Sequence, residues 1–218
     1  MTVSAGRFPV VLLPGPDTPA AEVTRLVQAL PAALRPVVLR PADGVRPRTA
    51  AARAPHDLAD GLVHRVRDAG VTGLFALHGW GTGAYLGLAL AGAFERAAGY
   101  AVCTTLFVSD APAPGRAPAP RATAPAPGPL THAVRRTVTE SRLVVCADPA
   151  PAGPGAPGLA PWSRHSTSGT EFVTLPPGPR ATALAGLIAA RLLPAATRAA
   201  RTPAARVPGG DRVAGAAP

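Results

Sequence analysis

Residues 74–98 read LFALHGWGTGAYLGLALAGAFERAA, and this stretch decides the fold. An apolar run ends at His78, and glycine then occupies every second position from Gly79 to Gly83. The rest of the stretch is apolar almost to Ala98. A short apolar run, a glycine-rich turn and a long apolar segment predict a strand, a tight turn and a buried helix. We therefore expect a strand over Leu74–His78 and a helix over Ala84–Ala98 that packs against the centre of a sheet.

Apolar strands alternate with amphipathic helices on either side of this stretch. Such alternation predicts an α/β fold with a mostly parallel sheet and helices on both faces. The length of 218 residues fits a single domain. The further predicted elements are the strands Phe8–Leu13, Pro36–Arg40, Ala101–Val108, Leu143–Ala147 and Phe172–Leu175, and the helices Thr18–Ala32, Leu58–Ala69 and Ala181–Leu193.

The composition limits the possible partners and compartments. The net charge is +10 and every basic residue is arginine, but no basic run is interleaved with aromatic residues, so nucleic-acid binding is not expected. No signal peptide and no apolar run long enough to span a membrane are visible. Cys103 and Cys146 lie inside apolar strands, without metal-ligand spacing, and are interpreted as buried free thiols in a reducing cytoplasm. No cofactor or metal is expected.

Two tracts rich in proline, alanine and arginine do not fit a packed domain. The first, Ala111–Pro129, is predicted to be an extended, mobile loop. The second, Ala195–Pro218, is predicted to be a disordered basic tail, which leaves residues 1–194 for the domain. Between the first tract and the next strand, Thr131–Arg142 is predicted to supply a short helix.

The glycine spacing also carries a chemical signal. A strand, the pattern Gly79-x-Gly81-x-Gly83 and a helix match the nucleophile elbow, G-x-S-x-G, in which the turn is too tight for bulky residues. The central residue of that motif normally carries the attacking hydroxyl. In this chain the position holds Gly81, which has no side chain.

The residues around this motif resemble one protein family. LHGWGTGAYLGLALAGAFERAAG (77–99) and LFVSDAPAPG (106–115) are similar to the thioesterase family of polyketide and nonribosomal peptide assembly lines. Three weaker matches extend the resemblance over about residues 8–193: FPVVLLPG (8–15), RLVVCADPAP (142–151) and LAPWSRHSTSGTEFVTLPPGPR (159–180). The resemblance implies an α/β-hydrolase-like fold, with the family's helical lid truncated to the Pro/Ala-rich loop.

The resemblance also assigns the triad positions. The nucleophile position is Gly81, and the base position falls on Arg180 or Pro179 in the turn after the last strand. Arginine stays protonated and cannot take a proton from a nucleophile. The acid is Asp110 or Asp148, and the sequence does not choose between them. Conventional Ser-His-Asp hydrolysis is therefore not expected, because triad members act as a unit.

The oxyanion turn is altered as well. It is predicted at Gly15 and Pro16, and proline has no N–H group to donate, so only the amide of Thr82 remains. Trp80 is predicted to pack beside the elbow. His78, at the end of the strand, is either a packed core histidine or an acid–base group.

A second motif overlaps the elbow. Gly79-x-Gly81-x-x-Ala84 also satisfies the dinucleotide-binding pattern G-x-G-x-x-G/A, with Asp110 at the end of the next strand for the ribose. That pattern normally opens its domain, whereas two βα units precede it here, and the spacing to the acid is longer than about 20 residues.

Three hypotheses about function follow. The first is a catalytically silent thioesterase-like protein that binds an acyl carrier protein, an acyl intermediate or a partner enzyme. The second is a non-hydrolytic enzyme, such as a cyclase or proton-transfer catalyst, that uses Asp110, Asp148 or His78 as acid or base. The third is a dinucleotide-binding protein.

Overall fold

The computed structural model describes residues 6–40, 55–114, 134–148 and 159–199. These residues form a six-stranded sheet in which every paired strand is parallel, with the order β2-β1-β3-β4-β5-β6. The strands are β1 (Phe8–Leu13), β2 (Leu34–Val38), β3 (Phe75–Trp80), β4 (Cys103–Ser109), β5 (Arg142–Ala147) and β6 (Thr170–Thr174). The helices are α1 (Ala20–Ala29), α2 (Pro55–Asp68), α3 (Thr82–Ala98) and α4 (Arg180–Ala199), with 3₁₀ turns at Val134–Arg136 and Ala160–His165.

Two hydrophobic cores lie on opposite faces of the sheet. Helices α2 and α3 cover one face, and α1 and α4 pack together over the other. Residues 83–94 of α3 are all buried, as the nearly continuous apolar sequence of that helix predicts. The predicted α/β fold with helices on both faces is confirmed.

The strand order reverses next to β1. The chain passes from β1 to β2 on one side and then crosses to β3 on the other side. Helix α1 follows β1 on one face, and α3 follows β3 on the other. In open parallel sheets, the carboxyl ends of strands at such a reversal border the crevice where ligands bind. The glycine-rich turn lies at this crevice.

The structure corrects one predicted element between β4 and β5. The short helix predicted over Thr131–Arg142 is reduced to the 3₁₀ turn at Val134–Arg136 among the described residues, and the chain then forms a β-bridge from Thr139 to Ser166. Residues 131–133 lie outside the described residues. The hydroxyl of Thr139 donates to the carboxylate of Glu95 at the end of α3, and the Ser141 hydroxyl donates to the carbonyl of Cys103 at 2.7 Å. These tertiary hydrogen bonds hold the segment extended.

The two Pro/Ala-rich tracts are only partly described. At the start of the predicted loop, Ala111 and Ala113 are buried, while residues 115–129 lie outside the described residues. Helix α4 continues to Ala199, so the predicted tail begins in a helix, and residues 200–218 lie outside the described residues. Cys103 and Cys146 are buried free thiols, as predicted. None of the described helices combines the length and apolar character needed to cross a membrane.

Candidate functional site

The backbone at Gly81 has the strained conformation of an elbow. Gly81 lies between β3 and α3 with φ 51° and ψ −119°, and its N–H donates to the carbonyl of Ser109 at 2.8 Å. Residues other than glycine rarely adopt a positive φ, and a nucleophile held there is under strain. A β-carbon at Gly81 would meet no atom nearer than the Asp110 carbonyl oxygen at 4.0 Å. The turn therefore has space for a nucleophile side chain that the sequence does not supply.

The two outer glycines are required by close approach of the backbone. A β-carbon on Gly79 would lie 2.6 Å from the backbone nitrogen of Ala84, and one on Gly83 would overlap the carbonyl oxygen of Leu13. Real β-carbons do not come so close to backbone atoms. The glycine spacing therefore reflects the tight contact of α3 with β3 and β1, as the elbow motif predicts.

The turn after β1 lies against the elbow. A β-carbon on Gly15 would lie 2.9 Å from the carbonyl oxygen of Trp80 and 3.4 Å from the amide nitrogen of Thr82. Pro16 follows on the exposed surface and has no N–H group. This turn therefore lies where an oxyanion turn is expected, and the residue that follows its glycine cannot donate.

Arg180 joins both candidate acids in one ion cluster. Its Nη2 lies 2.6 Å from Asp110 Oδ2, its Nη1 lies 3.3 Å from Asp148 Oδ2, and its Nε lies 3.7 Å from Glu22 Oε1. The arginine is the first residue of α4, and the three carboxylates come from α1 and from the ends of β4 and β5. Both aspartates named from the sequence therefore face the residue at the expected base position.

The charge of this arginine is fixed by its surroundings. Partial burial alone would lower the pKa of Arg180, but the ion pairs with Asp110, then Asp148 and Glu22, outweigh it and raise the pKa. A general base must be able to release and accept a proton near neutral pH. Arg180 therefore cannot take that role.

Asp110 is held in an unusual conformation. Its φ is 55°, which makes it the one described residue other than glycine with a positive φ. The next two carbonyl groups are fixed, because Trp162 Nε1 donates to Ala111 O at 3.0 Å and Tyr85 Oη donates to Pro112 O at 2.8 Å. The two aromatic rings are stacked. They anchor the chain after β4 and so keep the Asp110 carboxylate directed at Arg180.

His78 does not reach the surface of the site. It is fully buried, and its Nε2 lies 2.9 Å from Ser109 Oγ. Burial, and then the positive charge of Arg180, lower the pKa of His78 from 6.5 to about 3. The ring packs on Trp80, which is itself buried as predicted, with centroids 3.9 Å apart. The buried Ser109–His78 pair is therefore part of the core, and the acid–base interpretation of His78 loses its support.

A pH titration tests this assignment. We expect the His78 ring to stay neutral between pH 8 and 5 in NMR spectra of its ring nitrogens. The unfolded chain binds a proton at this histidine below about pH 6.5 and the folded protein does not, so the free energy of unfolding should fall as the pH drops toward 3. His78→Gln should weaken this pH dependence. A ring that titrates near pH 6.5 in the folded protein would contradict the buried, neutral state.

Several solved structures share this arrangement of strands and helices. RedJ, a thioesterase from the prodiginine biosynthetic pathway in Streptomyces coelicolor, is 17% identical over 85% of this chain and 91% of RedJ, with a TM-score of 0.62. ClbQ from the colibactin NRPS/PKS pathway is 15% identical over 89% of this chain and 98% of ClbQ, with a TM-score of 0.60. The chain has the α/β-hydrolase-like fold of these thioesterases. No protein-family model matches the sequence, and no curated protein does.

The same topology bears on the dinucleotide hypothesis. The glycine turn follows β3, the third strand of the chain, whereas a dinucleotide fingerprint follows the first strand of its βαβ unit. Asp110, the proposed ribose ligand, is paired with Arg180. Gly79 and Gly81 have roles in the elbow that need no nucleotide. The geometry favours the elbow interpretation.

A cleft opens beside the ion cluster. Its volume is about 250 Å³, and it is lined by Asp148, Arg180 and residues 175–178. The carboxylates of Asp110 and Asp148 are half-exposed, so they stay candidates for contact with a ligand. Each of them already faces a permanent positive charge.

Sequence reasoning missed several residues of this site. Glu22 reaches Arg180 from the first turn of α1, and Ser109 contacts His78 from the neighbouring strand. Tyr85 anchors the chain after Asp110. Of these three residues, only Glu22 could have been placed near the site from the sequence. A residue in the first turn of the helix after β1 lies close to the edge of the sheet where the strands end.

Proposed function

We propose that this chain is a non-hydrolytic thioesterase-like protein of polyketide or nonribosomal peptide biosynthesis. In this role it binds a carrier protein, an acyl intermediate or a partner enzyme in the cytoplasm. The observation that supports it is the elbow backbone at Gly81, which lacks a hydroxyl, together with an arginine at the expected base position that pairs with both candidate acids. The fold supplies a scaffold for such binding, and the two buried free thiols suit a reducing compartment.

Catalysis by the established route would need three groups that this site lacks. Thioester hydrolysis requires a nucleophile, a base that accepts its proton, and donors for the oxyanion. Gly81 has no side-chain hydroxyl, Arg180 is permanently charged, and Pro16 has no N–H group to donate to an oxyanion. Losing one oxyanion donor alone costs about 3–4 kcal/mol of transition-state stabilisation. The losses together support binding without hydrolysis.

Activity-based labelling tests the proposal. We expect a fluorophosphonate probe to leave the protein unlabelled, and acyl-thioester and p-nitrophenyl ester substrates to be hydrolysed no faster than the buffer background. An active serine hydrolase in the same assay serves as the positive control. Stoichiometric labelling of any serine, followed by peptide mapping, would show a nucleophile outside the elbow and would overturn the proposal.

A further inference from the structure

Three exposed apolar side chains lie at the edge of the sheet opposite the elbow. Leu74 precedes β3, Tyr100 precedes β4 and Val138 precedes β5, and these strands are neighbours in the sheet. The residues are 42%, 62% and 49% exposed, and they account for three of the five large exposed apolar residues among those described. Since all the strands are parallel, their amino-terminal ends meet at this edge.

Hydrogen bonds connect the segments that carry these three residues. The Phe75 amide donates to the carbonyl of Val102, which ties the residue after Leu74 to the segment after Tyr100. The amide of Gly99, directly before Tyr100, donates to the carbonyl of Glu95. The carboxylate of Glu95 in turn accepts from the amide of Glu140, two residues after Val138. These bonds tie together the segments that bear Leu74, Tyr100 and Val138 at a common edge of the sheet, and we call these three residues the amino-edge patch.

Exposed arginines surround the amino-edge patch. Arg67 lies over the ring of Phe94, which packs on Phe75 next to Leu74. The guanidinium of Arg96 and the methyl group of Thr137 both lie within 3.4 Å of where a β-carbon on Gly92 would be. Arg96 therefore lies close to Val138.

The 3₁₀ turn adds two more positive charges. Arg135 and Arg136 are exposed in the turn just before Val138. The described carboxylates near these four arginines are those of Asp68, Glu95 and Glu140, and that of Glu95 accepts hydrogen bonds from the Thr139 hydroxyl and the Glu140 amide. The amino-edge patch is therefore apolar with a basic rim.

The surroundings of the elbow have the opposite charge. Asp17, Glu22, Asp110 and Asp148 lie there with the single arginine of the ion cluster. Among the described residues, these four carboxylates thus outnumber the arginine of the ion cluster at the elbow, whereas arginines outnumber carboxylates at the amino-edge patch. An acidic partner would be repelled from the elbow and attracted to the amino-edge patch. A second copy placed patch to patch would meet like charge.

We propose that the amino-edge patch is the docking surface for an acidic protein whose carboxylates meet the arginine rim and whose apolar side chains cover Tyr100 and its neighbours. The inference rests on the proposed function, because a carrier protein is such a partner. The new element is the place of docking, which is the edge of the sheet away from the elbow. An acyl chain tethered to a partner bound there is not presented to Gly81. Exposed apolar surface with a polar rim is the composition of protein interfaces.

NMR mapping on the full chain tests this surface. The ¹⁵N-labelled protein is titrated with a recombinant acyl carrier protein that lacks its phosphopantetheine arm, at 50 and 300 mM NaCl. We expect the amide shifts of Tyr100 and Val138 to move, those of Gly81 and Thr82 to stay, and Kd to rise at least about tenfold at the higher salt. Arg135→Glu with Arg136→Glu should weaken binding by about tenfold or more.

A matched charge reversal serves as the control. Arg25→Glu with Arg40→Glu also reverses two exposed arginines, one on α1 and one after β2, both away from the amino-edge patch. This variant should shift the same amides on titration and bind the carrier protein about as tightly as the parent protein does. Shifts centred on Gly81 would overturn the docking surface and leave the proposed function standing. Shifts at neither place would overturn the docking surface and would remove the carrier protein from the partners named in the proposed function. Equal weakening by the rim variant and the control, or self-association through Tyr100, would also overturn the docking surface.

Discussion

Gly83→Ala should largely unfold the protein, although it adds only one methyl group. The β-carbon would overlap the carbonyl oxygen of Leu13, and a backbone atom in the centre of a sheet cannot move aside as a side chain can. We expect the free energy of unfolding to fall by about 4 kcal/mol or more, which is a large fraction of the total stability of a domain of this size. Denaturant unfolding followed by circular dichroism measures it.

Two further glycines in helices provide graded controls for the same substitution. A β-carbon on Gly87 would lie 2.9 Å from a terminal methyl group of Leu106, which can rotate away. Gly87→Ala should therefore lower the free energy of unfolding by about 1 kcal/mol. Gly186 in α4 is exposed, and a β-carbon on it would meet no atom within 4 Å. Gly186→Ala should therefore raise the free energy of unfolding by about 0.5–1 kcal/mol. Unfolding midpoints in another order would show that α3 does not approach β1 as described.

The elbow could be predicted from the sequence because its causes are local. The glycines that allow close approach lie two residues apart, and the apolar strand and helix on either side of them have recognisable lengths. The ion cluster could not be predicted in full. Glu22 and Arg180 are far apart in sequence and meet only because α1 and α4 pack on the same face of the sheet.

The segment before β5 shows why local patterns can fail. Thr139 and Ser141 lie in a stretch that reads as a short helix, but their hydroxyls form hydrogen bonds with partners on α3 and β4. Side chains of Ser and Thr that bond elsewhere compete with helix formation, and these partners are contributed by the tertiary fold. His78 is a similar case, because the sequence places it at the strand end but does not show that Trp80 and Ser109 enclose it.

Gly81→Ser should return a hydroxyl to the elbow without returning activity. The space around Gly81 admits a side chain, so the cost comes from the φ of 51°, about 1–3 kcal/mol. Gly81→Ala carries the same backbone strain without the hydroxyl and separates stability from chemistry. The expected base position still holds a protonated arginine, so we expect thioester hydrolysis to stay at background in both variants.

Combining Gly81→Ser with Arg180→His should give the first measurable hydrolysis. The new imidazole starts α4 where Arg180 now contacts Asp110 and Asp148, so a carboxylate is present to orient it. Pro16 still leaves the oxyanion one donor short, which keeps the rate about 10²–10³ below that of a complete site. Thioester hydrolysis and fluorophosphonate labelling at residue 81 measure the gain over each single variant. If Gly81→Ser alone hydrolyses the thioester as fast as the double variant, another group serves as the base at the elbow, and the proposal of a non-hydrolytic protein is refuted.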